Sequence, residues 1–139
     1  MNAPTFDVGD LVGPERRRCP TAERVRAYAA RHDTREALFI DPTFAARLGY
    51  RDVIVPGPMQ TAFLEQLLRR HFRGWCLEQL GTTFRISVIT NDTITLRGVV
   101  TEVYHQPDGI RVVCDLLIEN GDGERATTGQ ATLRQAVAQ

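Results

Sequence analysis

Apolar positions recur three and four apart in the first half of the chain and two apart in the second, and that switch of period orders the elements. Val25, Tyr28 and Ala29 fall at helical spacing behind Thr21, a good N-cap, with Glu23 in the first turn; they predict a helix over 22–32. Leu38, Phe39 and Ile40 are consecutive apolar residues beside Asp41-Pro42. The next segment, PTFAARLG, has room for one or two helical turns before Gly49. Val53-Ile54-Val55 reads as a short extended run stopped by Pro56-Gly57-Pro58. The strongest helical signal runs from Pro58 to Phe72, where Met59, Ala62, Phe63, Gln66, Leu67 and Arg70 keep the 3-4 spacing. Leu64 and Leu68 widen its apolar side, and Gly74 ends it.

From residue 82 the alternation is strand-like. TTFRISVI (82–89) sets Phe84, Ile86 and Val88 against Arg85 and Ser87, and TITLRGVVTEVYHQ (93–106) alternates through Ile94, Leu96, Gly98 and Val100. Asp108-Gly109 is a strong hairpin signal. IRVVCDLLIEN (110–120) and ERATTGQATLRQAVA (124–138) follow, separated by a turn over 121–123. Residues 5–14 are turn-rich and predict a loose lead-in with a short strand. Four long strands behind one long helix predict an α+β fold in which a strongly curved antiparallel sheet wraps around a central helix. No repeat, low-complexity tract or linker interrupts the chain, so one domain is expected over 1–139.

Composition removes several classes of function. With 139 residues, 42% of them apolar, the chain can bury a core without a metal or disulfide staple. Seventeen basic residues, all arginine, balance seventeen acidic ones, so no positive excess exists to hold a nucleic-acid backbone. Cys19, Cys76 and Cys114 are odd in number and widely spaced, which fits neither a disulfide framework nor a metal knuckle. The first ten residues lack a hydrophobic run, and no stretch is apolar for the ~18 residues that a membrane span needs. The expectation is a cytoplasmic protein with no membrane, metal or cofactor requirement.

Candidate chemistry is sparse. His71 sits where a helix C-terminus favours a cation, and His105 sits at a strand end beside the hairpin turn. His32-Asp33 is a neighbouring acid–base pair near a helix end, with Glu36 three residues on; its plain alternative is a solvated helix terminus. Gly57 lies where an extended run enters an apolar helix, so its N–H could meet a thioester carbonyl oxygen, or the glycine could simply permit a tight turn. Glycine-rich nucleotide loops, a serine-nucleophile elbow and a paired-histidine zinc motif are absent from the sequence.

Residues 23–59 resemble the MaoC-like, R-specific enoyl-thioester hydratase and dehydratase family, whose members have the hot-dog fold. The family pattern is an Asp, then Asn-Pro and a His five residues after that Asp, another Asp and an Ala, a Gly-Phe, and an Ile-Ala-His-Gly stretch before the helix. Asp41, Ala45, Gly49-Tyr50 and Ile54-Val55-Pro56-Gly57 match its parts, and TITLRGVVTEV (93–103) is similar to a later family strand. The resemblance puts the family's catalytic aspartate on Thr34, its catalytic histidine on Phe39, and the histidine before the glycine on Pro56. Phenylalanine cannot titrate, and threonine is no base at neutral pH without an activator. Moving the register by one brings Asp33 to the aspartate position but supplies no imidazole.

Three functions follow from the resemblance and its gaps. The first is a non-catalytic or accessory hot-dog subunit that shapes the acyl tunnel of an enoyl-thioester hydratase or dehydratase beside a catalytic hot-dog partner. The second is a homodimeric enzyme with replaced chemistry, an isomerisation, cyclisation or elimination on an acyl or polyketide-like substrate, with Asp33 or Glu36 as base. The third is a ligand-binding protein without turnover. Acyl-CoA or an acyl carrier protein is the implied substrate form, and Arg47, Arg51 and Arg85 are candidate phosphate contacts at a tunnel mouth.

Overall fold

The computed structural model describes residues 5–32 and 36–136. In chain order the elements are β1 (Leu11–Arg18), α1 (Ala22–Arg31), α2 (Ala37–Ile40), α3 (Pro42–Arg47), α4 (Gly57–His71), β2 (Cys76–Phe84), β3 (Thr93–Gln106), β4 (Gly109–Glu119) and β5 (Arg125–Ala136). Local chemistry accounts for the helix starts. Thr21 accepts a hydrogen bond from the Arg24 N–H at 3.2 Å, capping α1. Asp41 accepts from the N–H groups of Thr43 and Phe44, with Pro42 opening α3. Arg69, Arg70 and His71 crowd the last turn of α4, where the helix dipole favours cations. Gly74 takes φ 83° just beyond it, a left-handed conformation that suits glycine.

The sheet has five strands, all antiparallel to their neighbours, in the order β1-β3-β4-β5-β2. The expectation of a curved sheet wrapped around a central helix is corrected here. The sheet is not strongly curled or closed: β1 and β2 end it on opposite edges and do not pair with each other. Helix α4 lies across one face, touching β1, β2 and β3, and its outer side, with Pro58, Gln66, Arg69 and Arg70, stays exposed. An open sheet must bury its apolar face against another element, and here a helix covers it.

The core lies between that face and the helix. Leu64, Leu67 and Leu68 of α4, with Phe72 at its C-cap, pack with Ile94 and Leu96 of β3, Leu116 and Ile118 of β4, and Leu133 of β5. Each such side chain contributes about 1.5–3 kcal/mol on burial. Gly98 sits at an inward position of β3 because a Cβ there would stand 2.8 Å from both the Asp115 carbonyl oxygen and Leu116 Cδ2.

A second correction concerns β2, which runs over Cys76–Phe84 rather than 82–89. It pairs with β5 from Cys76–Arg134 to Phe84–Thr127, and the alternating residues beyond it leave the sheet. There the N–H groups of Arg85 and Ile86 both reach the Ala126 carbonyl, and Ile89 forms an isolated bridge with Ile54. A register shift between Leu77 and Gln79 interrupts the alternation, so Leu77 and Leu80 both pack against the core and CLEQLGTT carries no clean period of two. Among the described residues, no helix is long and apolar enough to cross a membrane.

Candidate functional site

The entry to α4 is fixed by three backbone hydrogen bonds to two neighbouring segments. The Ile54 N–H donates to the Leu38 carbonyl at 2.9 Å, tying the segment to α2. The Val55 N–H donates to the Val88 carbonyl at 2.7 Å, and the Thr90 N–H to the Val53 carbonyl at 3.2 Å. Pro56 is the N-cap with extended backbone (φ −59°, ψ 145°), and Gly57 begins the helix. Pro58 has no N–H, while the N–H groups of Met59 and Gln60 bond back to the Pro56 carbonyl. Among the described residues, the Gly57 N–H is therefore the first-turn donor without a partner.

Behind this turn lies a satisfied polar pair. Gln60, 3% exposed, donates through Nε2 to the Val55 carbonyl at 3.2 Å and accepts from Thr127 Oγ1 of β5. Thr61 Oγ1 reaches the Gly57 carbonyl at 3.2 Å and Thr82 Oγ1 of β2 at 3.1 Å. The first turn of α4 is thus laced to both β5 and β2. In front of it is a cavity of about 200 Å³ whose walls include Phe39, Ile54, Gly57, Phe84, Arg85 and Ser87. The Phe84 ring covers Gly57 so closely that a Cβ there would lie 2.6 Å from Cε2. Ser87 Oγ donates to the Tyr50 hydroxyl at 3.2 Å at the cavity's flank. Arg85 is the only ionisable side chain in that lining among the described residues.

The structure therefore brings Phe39 and Gly57 to one cavity. It does not bring His32 or Glu36 there. His32 caps the C-terminus of α1, exposed, with its ring 4.2 Å from that of Tyr28, and it faces a different groove. Glu36 caps α2, also exposed, and makes no side-chain cap bond. Asp33 and Thr34 lie outside the described residues. Arg47 ends α3 in solvent, and Arg51, 73% exposed, approaches Asp92 at 3.9 Å. His71 stacks near Phe6 and Phe72 at the far end of α4. Burial pushes the thiols of Cys19 and Cys114 up to about 12, so neither is a nucleophile at neutral pH.

Spacing did not announce Phe84, Gln60 or Thr127 as parts of this site. The one available signal was Gln60, a polar residue at a helix position that the 60/63/64/67/68 pattern buries.

No protein-family model matches the chain, and no curated protein matches its sequence. Solved structures do. The (R)-hydratase from A. caviae involved in PHA biosynthesis superposes with a TM-score of 0.80 at 24% identity, over 96% of this chain and 99% of that one. The fold is the hot-dog fold. A chain of the ChsH1-ChsH2 complex from Mycobacterium tuberculosis gives 0.78 at 17% identity, over 94% of this hot-dog chain and 99% of that chain. The HadBC (3R-hydroxyacyl-ACP dehydratase) complex from Mycobacterium tuberculosis gives 0.72 at 22%, over 93% and 97%. At these identities the likeness is one of fold, spanning nearly the whole of each chain.

Proposed function

We propose that the chain is a non-catalytic or accessory hot-dog subunit, one that shapes the acyl-binding cavity of an enoyl-thioester hydratase or dehydratase and leaves the proton transfers to a partner. One observation carries this: among the described residues, the cavity at the head of α4 holds Phe39 and Arg85 but no side chain that titrates near neutral pH. On this reading Phe39 and Thr34 stand where relatives keep their catalytic histidine and aspartate. The unpartnered Gly57 N–H then offers one hydrogen bond to the carbonyl of an acyl-CoA or acyl-carrier-protein thioester. The unpaired edge strands β1 and β2 support assembly with a second hot-dog chain, since an open edge is relieved by pairing or cover. Two of the similar folds come from complexes, one of them of the named pair ChsH1-ChsH2.

Native mass spectrometry on the protein isolated from its own host, combined with an enoyl-thioester hydration assay, tests this. The expected result is a complex with a second hot-dog chain, and no turnover by this chain alone. A homodimer that hydrates the thioester overturns it. A homodimer that converts some other acyl substrate in a manner dependent on Asp33 or Glu36 moves the assignment to replaced chemistry. A homodimer that binds acyl thioesters without turnover makes it a carrier.

A further inference from the structure

A second groove, about 790 Å³, runs between α4 and α1. Helix α1 lines it with Arg24, Ala27, Tyr28 and Arg31, a stripe at i, i+3, i+4 and i+7. Helix α4 answers with Met59, Phe63 and Gln66 at the same kind of spacing. Arg17 of β1 joins them: its guanidinium carbon lies 4.0 Å from the Phe63 ring centroid, and its Nη1 donates to Gln66 Oε1 at 3.0 Å. Both contacts hold the guanidinium in place and neither neutralises it. Arg69, Arg70, Arg97, Arg111 and Arg134 each sit within ion-pair distance of a carboxylate. Among the described residues, Arg17, Arg24 and Arg31 have no such partner, and neither Asp nor Glu lines the groove. A chain of zero net charge thus places three guanidinium groups, each without a carboxylate partner among the described residues, around an apolar strip.

We propose that this groove binds a small phosphorylated organic molecule, with its phosphate on Arg17, Arg24 and Arg31 and its apolar body against Tyr28 and Met59. The guanidinium fork matches phosphate oxygens, and a phosphomonoester brings roughly −1.5 to −2 charges at neutral pH, enough to relieve mutual repulsion among the three arginines. The volume is in the usual range for a small-ligand pocket, roughly 300–1,000 Å³. The groove shares no lining residue with the cavity at Gly57, so this assignment stands or falls apart from the proposed function.

The test is an NMR titration of the full chain with phenyl phosphate, with inorganic phosphate and a Glu-Leu repeat peptide as parallel arms. Saturable shifts at Tyr28, Arg31 and Met59 are expected, with tighter binding for phenyl phosphate than for inorganic phosphate. The double variant R24Q/R31Q alters two exposed, unpaired side chains, so the fold is retained, and affinity falls by about tenfold or more. R69Q, which removes an arginine already paired with Glu65, leaves affinity unchanged. Absence of saturable shifts, or unchanged affinity in R24Q/R31Q, overturns the site. Equal affinity for inorganic phosphate removes the role given to the apolar strip and overturns the organic ligand. A peptide that displaces phenyl phosphate reassigns the groove to an acidic protein partner and overturns it as well.

Discussion

The two ends of α4 are built by different rules. Its C-terminal half, with the C-cap Phe72, puts Leu64, Leu67, Leu68 and that ring into the core, where shape and apolar area decide the fit. Its first turn is defined by particular atoms: a proline cap, a glycine under an aromatic ring, and a glutamine bonded to a strand threonine. The first kind of construction tolerates similar residues and fails by volume, whereas the second fails atom by atom.

The largest effect should come from the core end. Leu68→Ala is expected to lower unfolding free energy by about 2–5 kcal/mol, read from urea denaturation, because a fully buried side chain leaves a cavity. A loss under about 1 kcal/mol would mean that this end is not packed as described. At the other end, Thr127→Val strips the buried Gln60 Oε1 of its donor and should cost about 1–3 kcal/mol despite nearly equal volume. A neutral result there would erase the distinction between the two ends.

Gly57→Ala sharpens the comparison further. The new Cβ meets the Phe84 ring and also crowds Pro58, since a residue before proline resists helical backbone, so a cost of about 1–3 kcal/mol is expected. Phe84 is 49% exposed and can swing away, and part of that cost should vanish in a Phe84→Ala background. Additive costs in the double-mutant cycle would show that ring and glycine do not touch.

The smallest effect is a control remote from both ends. Arg111 binds Glu78 and Asp108 at the hairpin end of the sheet, and its hydrogen bonds hold both carboxyls below their usual range. Depressed carboxylates stabilise the fold above their unfolded values, about 4, and lose that contribution as pH falls through the folded values. Arg111→Gln should therefore flatten the acid limb of a stability-versus-pH curve and leave both ends of α4 unaffected. A steeper acid limb would contradict the assignment.

Sequence periodicity read the core end well. The helix expected over 58–72 is Gly57–His71, and the strands expected over 93–106 and 110–120 are Thr93–Gln106 and Gly109–Glu119. Such elements are legible because one buried face repeats. Strand β2 lies outside the range that alternation predicts because a bulge between Leu77 and Gln79 breaks its period, and the expected wrap of the sheet fails because element order does not dictate closure. The site was less legible still. Gly57 was open to two explanations, a turn or a donor. The contact that crowds a Cβ there comes from Phe84, 27 positions downstream, brought back by the pairing of β2 with β5. No local spacing encodes that meeting.

An aromatic ring held this close to a glycine is also a magnetic fixture. The two Gly57 α protons see the Phe84 ring current unequally, because the one occupying the Cβ direction points at the ring. The ring therefore adds its own contribution to the difference between their resonances, and anything that enters the cavity and turns Phe84 aside changes that difference. The head of α4 carries its own gauge of occupancy, readable without a label and without knowing the ligand.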